Sequence, residues 1–300
     1  MSDAQLFPGF EAREIDASGA SIHCVVGGKG PPLLLLHGYP QTHAIWHRVA
    51  PRLAERYTVV CADLRGYGDS SKPPGDTEHA TYSKRAMAND MVELMQSLGF
   101  TRFRLAGHDR GGRVSHRLAI DHPDRVERVA LLDISPTRIM FARTNHAFAS
   151  AYYHWFFLSQ PFDLPERLIG ADPLYYLHRK LGAWSPSGLE KFDPRALAEY
   201  ERCFANEATI HATCEDYRAA ATIDIAHEEA DVAAGRKIEC PLLVLWGEKG
   251  VVNRLYKPLV DWSEVATDVR GGALPCGHYL AEEAPEETFA ELSVFLEERG

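Results

Sequence analysis

The feature that most constrains this chain is the heptapeptide Gly107-His108-Asp109-Arg110-Gly111-Gly112-Arg113, which follows the apolar run Phe103-Arg104-Leu105-Ala106 and leads into a helical pattern near Val114. A strand that turns sharply into a closely packed helix leaves little room beside the turn, so small residues flank the residue at its tip. In the G-x-S-x-G form of this turn the tip residue is a serine. Here it is Asp109. A serine attacks a carbonyl and forms an acyl ester, whereas a carboxylate attacking an sp3 carbon forms an alkyl ester. The pattern therefore points to displacement of a leaving group from carbon.

Short apolar runs alternate with helical periodicity on both sides of this turn. Ile22 to Val26 and Leu33 to Leu36 predict strands, the second an unbroken apolar run of the kind buried on both faces. Next come a predicted helix around Ile45 to Ala54, a strand at Val59-Val60-Cys61-Ala62-Asp63 and a helix near Ala86 to Leu98. The turn strand with its helix, Gly112 to Ile120, precedes a strand at Val129-Ala130-Leu131-Leu132-Asp133. This βαβ series implies a mostly parallel sheet with helices on both faces. From Ser135 to about Lys237 aromatic and helical segments take over, strand patterning resumes at Leu242-Leu243-Val244-Leu245-Trp246, and a last helix is expected near Pro285 to Leu296. The expected organisation is an α/β core made of residues 1–135 and 238–300, with 136–237 inserted as a helical cap.

Composition narrows the partners. The net charge of −10 is spread rather than blocked, which argues against nucleic acid and gives no steering toward anions, so an anionic substrate must be held by local arginines. Cys24, Cys61, Cys203, Cys214, Cys240 and Cys276 stand far apart without C-x-x-C spacing, against a disulfide framework or a zinc site. A reduced cytoplasm is the expected setting. Met1-Ser2-Asp3-Ala4-Gln5 lacks the basic and apolar regions of an export signal, and no run of about 18 apolar residues occurs, so no membrane partner is expected.

His37-Gly38-Tyr39-Pro40 after one strand, Asp63-Leu64-Arg65-Gly66-Tyr67-Gly68-Asp69-Ser70 after the next, the turn at Asp109 and the late Gly277-His278 stand in this order along the chain. In that order they resemble the α/β-hydrolase superfamily over nearly the whole length. An Asp at the turn narrows the resemblance to haloalkane dehalogenases, epoxide hydrolases and haloacetate dehalogenases. Asp109-Arg110-x-x-Arg113, His154-Trp155 and Asp216-Tyr217-Arg218 look most like the fluoroacetate dehalogenases.

Charge supports that choice. Arg110 and Arg113 stand three residues apart at the start of a helix, beside the nucleophile, where the helix dipole also favours an anion. Two guanidiniums can clamp a carboxylate, which a haloalkane or a neutral epoxide lacks. The plainer alternative is that they pair with the protein's own acids.

The resemblance implies the remaining roles. Asp109 attacks the α-carbon, halide leaves, and His278 activates the water that hydrolyses the ester. Asp133 orients the imidazole, because Gly250 fills the later slot where many relatives carry an Asp, with Glu248 as the competing acid. The backbone N–H groups of Tyr39 and Arg110 form the oxyanion hole, and His154, Trp155 and Tyr217 donate to the departing halide. Trp184 borders the substrate in this reading, and several of Tyr152 to Phe157 simply fill the cap. The expected partners are a small anionic halogenated substrate and water, with a homodimer admitted and no metal or organic cofactor implied. The rival reading is an epoxide hydrolase in which Tyr152 or Tyr153, with Tyr217, protonates the opening oxygen. A non-catalytic receptor on the same fold requires a broken triad.

Overall fold

The computed structural model describes residues 3–298. Eight strands form one sheet in the order β1-β2-β4-β3-β5-β6-β7-β8, with β1 Glu11–Asp16, β2 Ser21–Gly27, β3 Pro32–Leu36, β4 Thr58–Ala62, β5 Phe103–His108, β6 Val126–Leu132, β7 Leu242–Gly247 and β8 Val269–Leu274. Pairings β1–β2 and β2–β4 are antiparallel, and all the others are parallel. The parallel centre is buried for the reason its sequence announces: Leu33 to Leu36, Val59 to Ala62 and Val129 to Leu132 carry apolar groups on both faces, and helices cover both.

The strand β1 has no counterpart in the sequence reading. Glu11-Ala-Arg-Glu-Ile-Asp16 alternates poorly and is exposed except for half-buried Ile15, so nothing but its pairing with β2 makes it a strand. The helix expected over Ile45 to Ala54 is broken into a 3-10 turn, His43–Trp46, and a short helix, Ala50–Leu53, with Pro51 in the first turn of the second. Proline is tolerated there and nowhere further in, which separates the two pieces. Between β6 and β7 the described residues form eight helices, from Thr137–Ala142 to Ile223–Ala233, and no strand. Strands β3, β5, β6 and β7 all point their C-terminal ends at this helical layer, and the turns at those ends bring the site residues together.

Candidate active site

β5 ends at His108 and the next helix starts at Arg110, so Asp109 makes the turn alone, at φ 45° and ψ −112°. A side chain at positive φ is strained, and such strain persists only where neighbours over-determine it. Here the Asp109 N–H donates to the Leu132 carbonyl at 3.1 Å, and the Gly111 N–H to the His37 carbonyl at 2.8 Å. Glycine is required for the approach itself. A Cβ on Gly38 would stand 2.5 Å from the Asp109 Cβ, and one on Gly111 would collide with the His37 carbonyl. With both absent, the loop after β3 lies against the turn, and the Tyr39 N–H donates to Asp109 Oδ1 at 3.0 Å.

Asp109 is buried, which by itself would raise its pKa. The charges of His278, Arg113, His108 and Arg110 outweigh burial and hold it below the ordinary carboxylate value, so it is ionised at neutral pH.

His278 follows β8, with its N–H bonded to the Trp184 carbonyl at 3.1 Å. Its Nδ1 lies 2.5 Å from Asp133 Oδ2, and Asp133 Oδ1 accepts the Gly247 N–H at 2.9 Å. Asp133 also sits at positive φ, 53°, at the end of β6. Burial pulls the His278 pKa down, but the Asp133 hydrogen bond and the charges of Asp133 and Asp109 carry it above the usual 6.5. Glu248 is exposed, while Asp133 is the acid on the imidazole. A Cβ on Gly250 would be only 3.5 Å from Asp133 Oδ1, so the later slot faces the same imidazole partner.

The two arginines differ. Arg110 grips Asp216 with its Nε on Oδ2 at 2.9 Å and its Nη2 on Oδ1 at 2.5 Å, and Asp216 also accepts from Lys84 and from the Tyr67 hydroxyl. The plainer expectation thus describes most of Arg110, whose Nη1 alone is buried without a partner. Arg113 donates to the Ser135 carbonyl at 3.2 Å and to Thr137 Oγ1 at 2.9 Å, and its buried Nε has no partner. Among the described residues, no carboxylate oxygen lies within 4.0 Å of its guanidinium. Burial and the neighbouring Arg110 charge depress its pKa, so a second anion beside it would be stabilised.

Each arginine stacks on an aromatic ring. Arg110 Cζ is 4.2 Å from the Tyr217 ring centroid and Arg113 Cζ 4.7 Å from that of Trp155. His154 lies between cap and core, its ring centroid 5.4 Å from Tyr217 and 4.6 Å from Trp184, which in turn is 5.4 Å from His278. The Tyr217 hydroxyl and His154 Nδ1 are buried without partners. Burial first, then the charge of Lys180 and the arginines, keeps His154 neutral. Buried polar atoms without partners cost about 1–3 kcal/mol each, so the Tyr217 hydroxyl and His154 Nδ1 can gain from a bound group that hydrogen-bonds with them.

A cleft of about 480 Å³ reaches His278, lined also by Tyr152, Lys180, Trp184, Lys249 and Arg254. Lys180 went unnoticed in the sequence. It is buried among Tyr153, Tyr176 and Trp184, with its Nζ 3.5 Å from the Tyr153 centroid, and burial lowers its pKa to about 7. Asp216 was visible only as a neighbour of Tyr217. Nothing local announces a partner for Arg110 that lies 106 residues away.

A family model described as the alpha/beta hydrolase fold matches residues 31–285. Fluoroacetate dehalogenase from Burkholderia sp is 50% identical over 97% of this chain and 95% of its own length. A soluble epoxide hydrolase from Corynebacterium sp. (strain C12) is 36% identical over 90% of this chain and 91% of its own. Among solved structures, a Nostoc sp PCC 7120 protein described as an alpha/beta hydrolase superposes with a TM-score of 0.95 at 58% identity, covering 97% of this chain and 99% of that one.

Proposed function

Because the chain belongs to the α/β-hydrolase fold family, we propose that it runs that family's strand-turn-helix chemistry with a carboxylate in place of a hydroxyl, as a hydrolase of the carbon–halide bond in haloacetates, converting fluoroacetate to glycolate and fluoride. The 50% identity to a fluoroacetate dehalogenase supports this reading. The observation that carries it is Arg113, a buried guanidinium beside the Asp109 charge with no acid of its own within 4.0 Å among the described residues. A substrate carboxylate supplies the missing anion. A neutral epoxide or haloalkane would offer the unpartnered Arg113 Nε no charged acceptor.

The geometry supports the following steps. Asp109 Oδ1 is engaged by the Tyr39 N–H, so Oδ2 is the oxygen that attacks the α-carbon from the side opposite the halogen. The carbon–halogen bond breaks with its electron pair on the halide, and an ester joins the acetate fragment to Asp109. Tyr217, His154 and Trp155 donate to the halide as its charge develops, which lowers the barrier only because those contacts strengthen in the transition state. Arg113, with the free Nη1 of Arg110, holds the substrate carboxylate. Water then adds to the Asp109 carboxyl carbon while His278 takes its proton. The Tyr39 and Arg110 N–H groups hold the oxyanion, the leaving glycolate oxygen recovers the proton from His278, and the Asp109 carboxyl left behind loses its proton to solvent to restore the carboxylate. Alkylation also removes the Asp109 charge that helps keep His278 protonated, so more of the imidazole is in the neutral form that can take a proton at the step that needs one.

The helices of 136–237 act as the cap that carries the halide donors. Six unpaired thiols suit a reducing cytoplasm, and no helix of the described residues is long and apolar enough to cross a membrane. Side-by-side assays of halide release from haloacetates and of diol formation from a styrene-type epoxide test the reading. Halide release alone is expected, and diol formation with no halide would reverse it.

Two variant pairs probe the parts. Asp133→Asn should lower kcat by about 10⁴-fold through loss of imidazole orientation and charge support, while Glu248→Gln stays within a few-fold. Steady-state halide release reads both, and the opposite ranking would move the acid to the later strand. Arg113→Ala should cut kcat/KM on haloacetates by about 10- to 150-fold, since a hydrogen bond to a charged group contributes roughly 1.5–3 kcal/mol. Lysine should rescue only in part for want of the planar fork. Arg110→Ala should lose activity and Tm together, because it leaves Asp216 buried with half its charge partners. Parental kcat/KM in Arg113→Ala would remove the carboxylate from the substrate description.

A further inference from the structure

Outside the cleft, two histidines and an aspartate from three separate elements meet: Asp3 in the helix Asp3–Leu6, His23 in β2, and His43 in the 3-10 turn after β3. Their ligand-capable atoms all lie within 4.8 Å of one another, and both rings are buried. Each ring is oriented by a carboxylate at Nδ1, which is 2.9 Å from Asp63 Oδ1 in His43 and 2.6 Å from Glu14 Oε1 in His23. Each then turns Nε2 toward one shared carboxylate, at 3.2 Å from Asp3 Oδ1 for His43 and 3.1 Å from Asp3 Oδ2 for His23. Asp63 is itself fixed, because its two oxygens also accept the backbone N–H groups of His43 at 2.7 Å and Asp69 at 2.9 Å.

Ionised carboxylates accept and never donate, so four imidazole–carboxylate contacts require all four ring nitrogens to carry protons. That would place two imidazolium rings 5.2 Å apart, offset by the carboxylates of Asp3, Glu14 and Asp63, which favour the charged form of both rings when no ion is present. With Nδ1–H donated outward to Asp63 and Glu14, the same rings instead present two Nε2 lone pairs and one carboxylate to a common point. Histidine held from behind by a carboxylate is the usual support for a metal ligand. Each Nε2 faces its own oxygen of the Asp3 carboxylate, at 3.1 Å for His23 and 3.2 Å for His43, and the three side chains converge closely enough for one ion, with bonds of about 2.0–2.2 Å, to take the place of the two intervening protons. Charge is conserved as well, since one divalent ion replaces two Nε2 protons. Phe7, stacked on His43 at 5.4 Å, supplies an apolar wall.

We propose that Asp3, His23 and His43 form a site for one divalent transition-metal ion of the zinc type, with a fourth position open to water. The ion ties the helix Asp3–Leu6 to β2 and to the turn after β3. Its role is structural, because none of its ligands belongs to the Asp109, His278 and Asp133 set. The pairing of carbon–halogen chemistry with Asp109 stands or falls separately.

Calorimetric titration of untagged, chelator-stripped full-length protein with zinc chloride should show one ion bound with a Kd of about 1 µM or tighter. Saturating zinc should raise Tm by about 2 °C or more. Asp3→Asn and His23→Phe should each weaken binding by about tenfold or more, while the exposed His146→Gln leaves it unchanged. Asp3→Asn is the variant least able to disturb the fold, since Asp3 is only half-buried, and its Tm in chelator verifies that. Absence of binding tighter than about 1 mM, or equal binding by all variants, would overturn the site and identify the rings as an imidazolium pair.

Discussion

Asp109→Asn should lower kcat on fluoroacetate and chloroacetate by about 10⁴-fold or more, as removal of a covalent nucleophile does elsewhere. The substitution is nearly isosteric. Its amide oxygen can still accept the Tyr39 N–H, and asparagine is among the side chains most tolerant of positive φ, here 45°. The fold should therefore persist, with Tm within a few degrees of the parent. What disappears is the carboxylate that Arg113, His278 and Arg110 hold ionised and that has an oxygen free for in-line attack. Fluoride-electrode and chloride assays read the loss. Retention of more than a few per cent of parental kcat, in protein whose mass is still that of the Asn variant, would mean that water attacks the substrate directly and Asp109 is only an electrostatic partner.

The legibility of this molecule in its sequence divides along a physical line. The parallel centre could be read because strands buried on both faces must be apolar throughout, as Leu33 to Leu36 and Val129 to Leu132 are. The turn at Asp109 could be read because its crowding forces Gly107, Gly111 and Gly112 into the sequence. β1 could not, since an exposed edge strand is defined by its partner and not by its own pattern. The arginine spacing puts Arg110 and Arg113 on neighbouring positions after Asp109, but spacing along a helix says nothing of what stands opposite. Asp216, brought over from the helix Glu207–Ala221, takes most of Arg110 and leaves Arg113 as the freer cation. Glycine at position 250 favours Asp133 over Glu248 in the sequence, and positions 133 and 250 face one point beside His278. The Asp3, His23 and His43 cluster has no sequence signature at all, because its ligands come from three elements with no common period.

His278→Asn separates the two chemical halves of the reaction. The imidazole takes no part in bond making at the α-carbon, so alkylation of Asp109 should proceed and halide should be released once per protein molecule. Without the base that Asp133 orients, hydrolysis of the ester should slow by about 10⁴-fold or more. Asparagine should leave the turn after β8 intact, since the backbone N–H of this residue and not its side chain bonds the Trp184 carbonyl. The stalled species is then long-lived enough to isolate. Intact-protein mass spectrometry of His278→Asn after incubation with a haloacetate should show the mass of one added carboxymethyl group, with peptide mapping placing it on Asp109. An unmodified mass after stoichiometric halide release, or a label mapped to any other residue, would contradict the covalent Asp109 route.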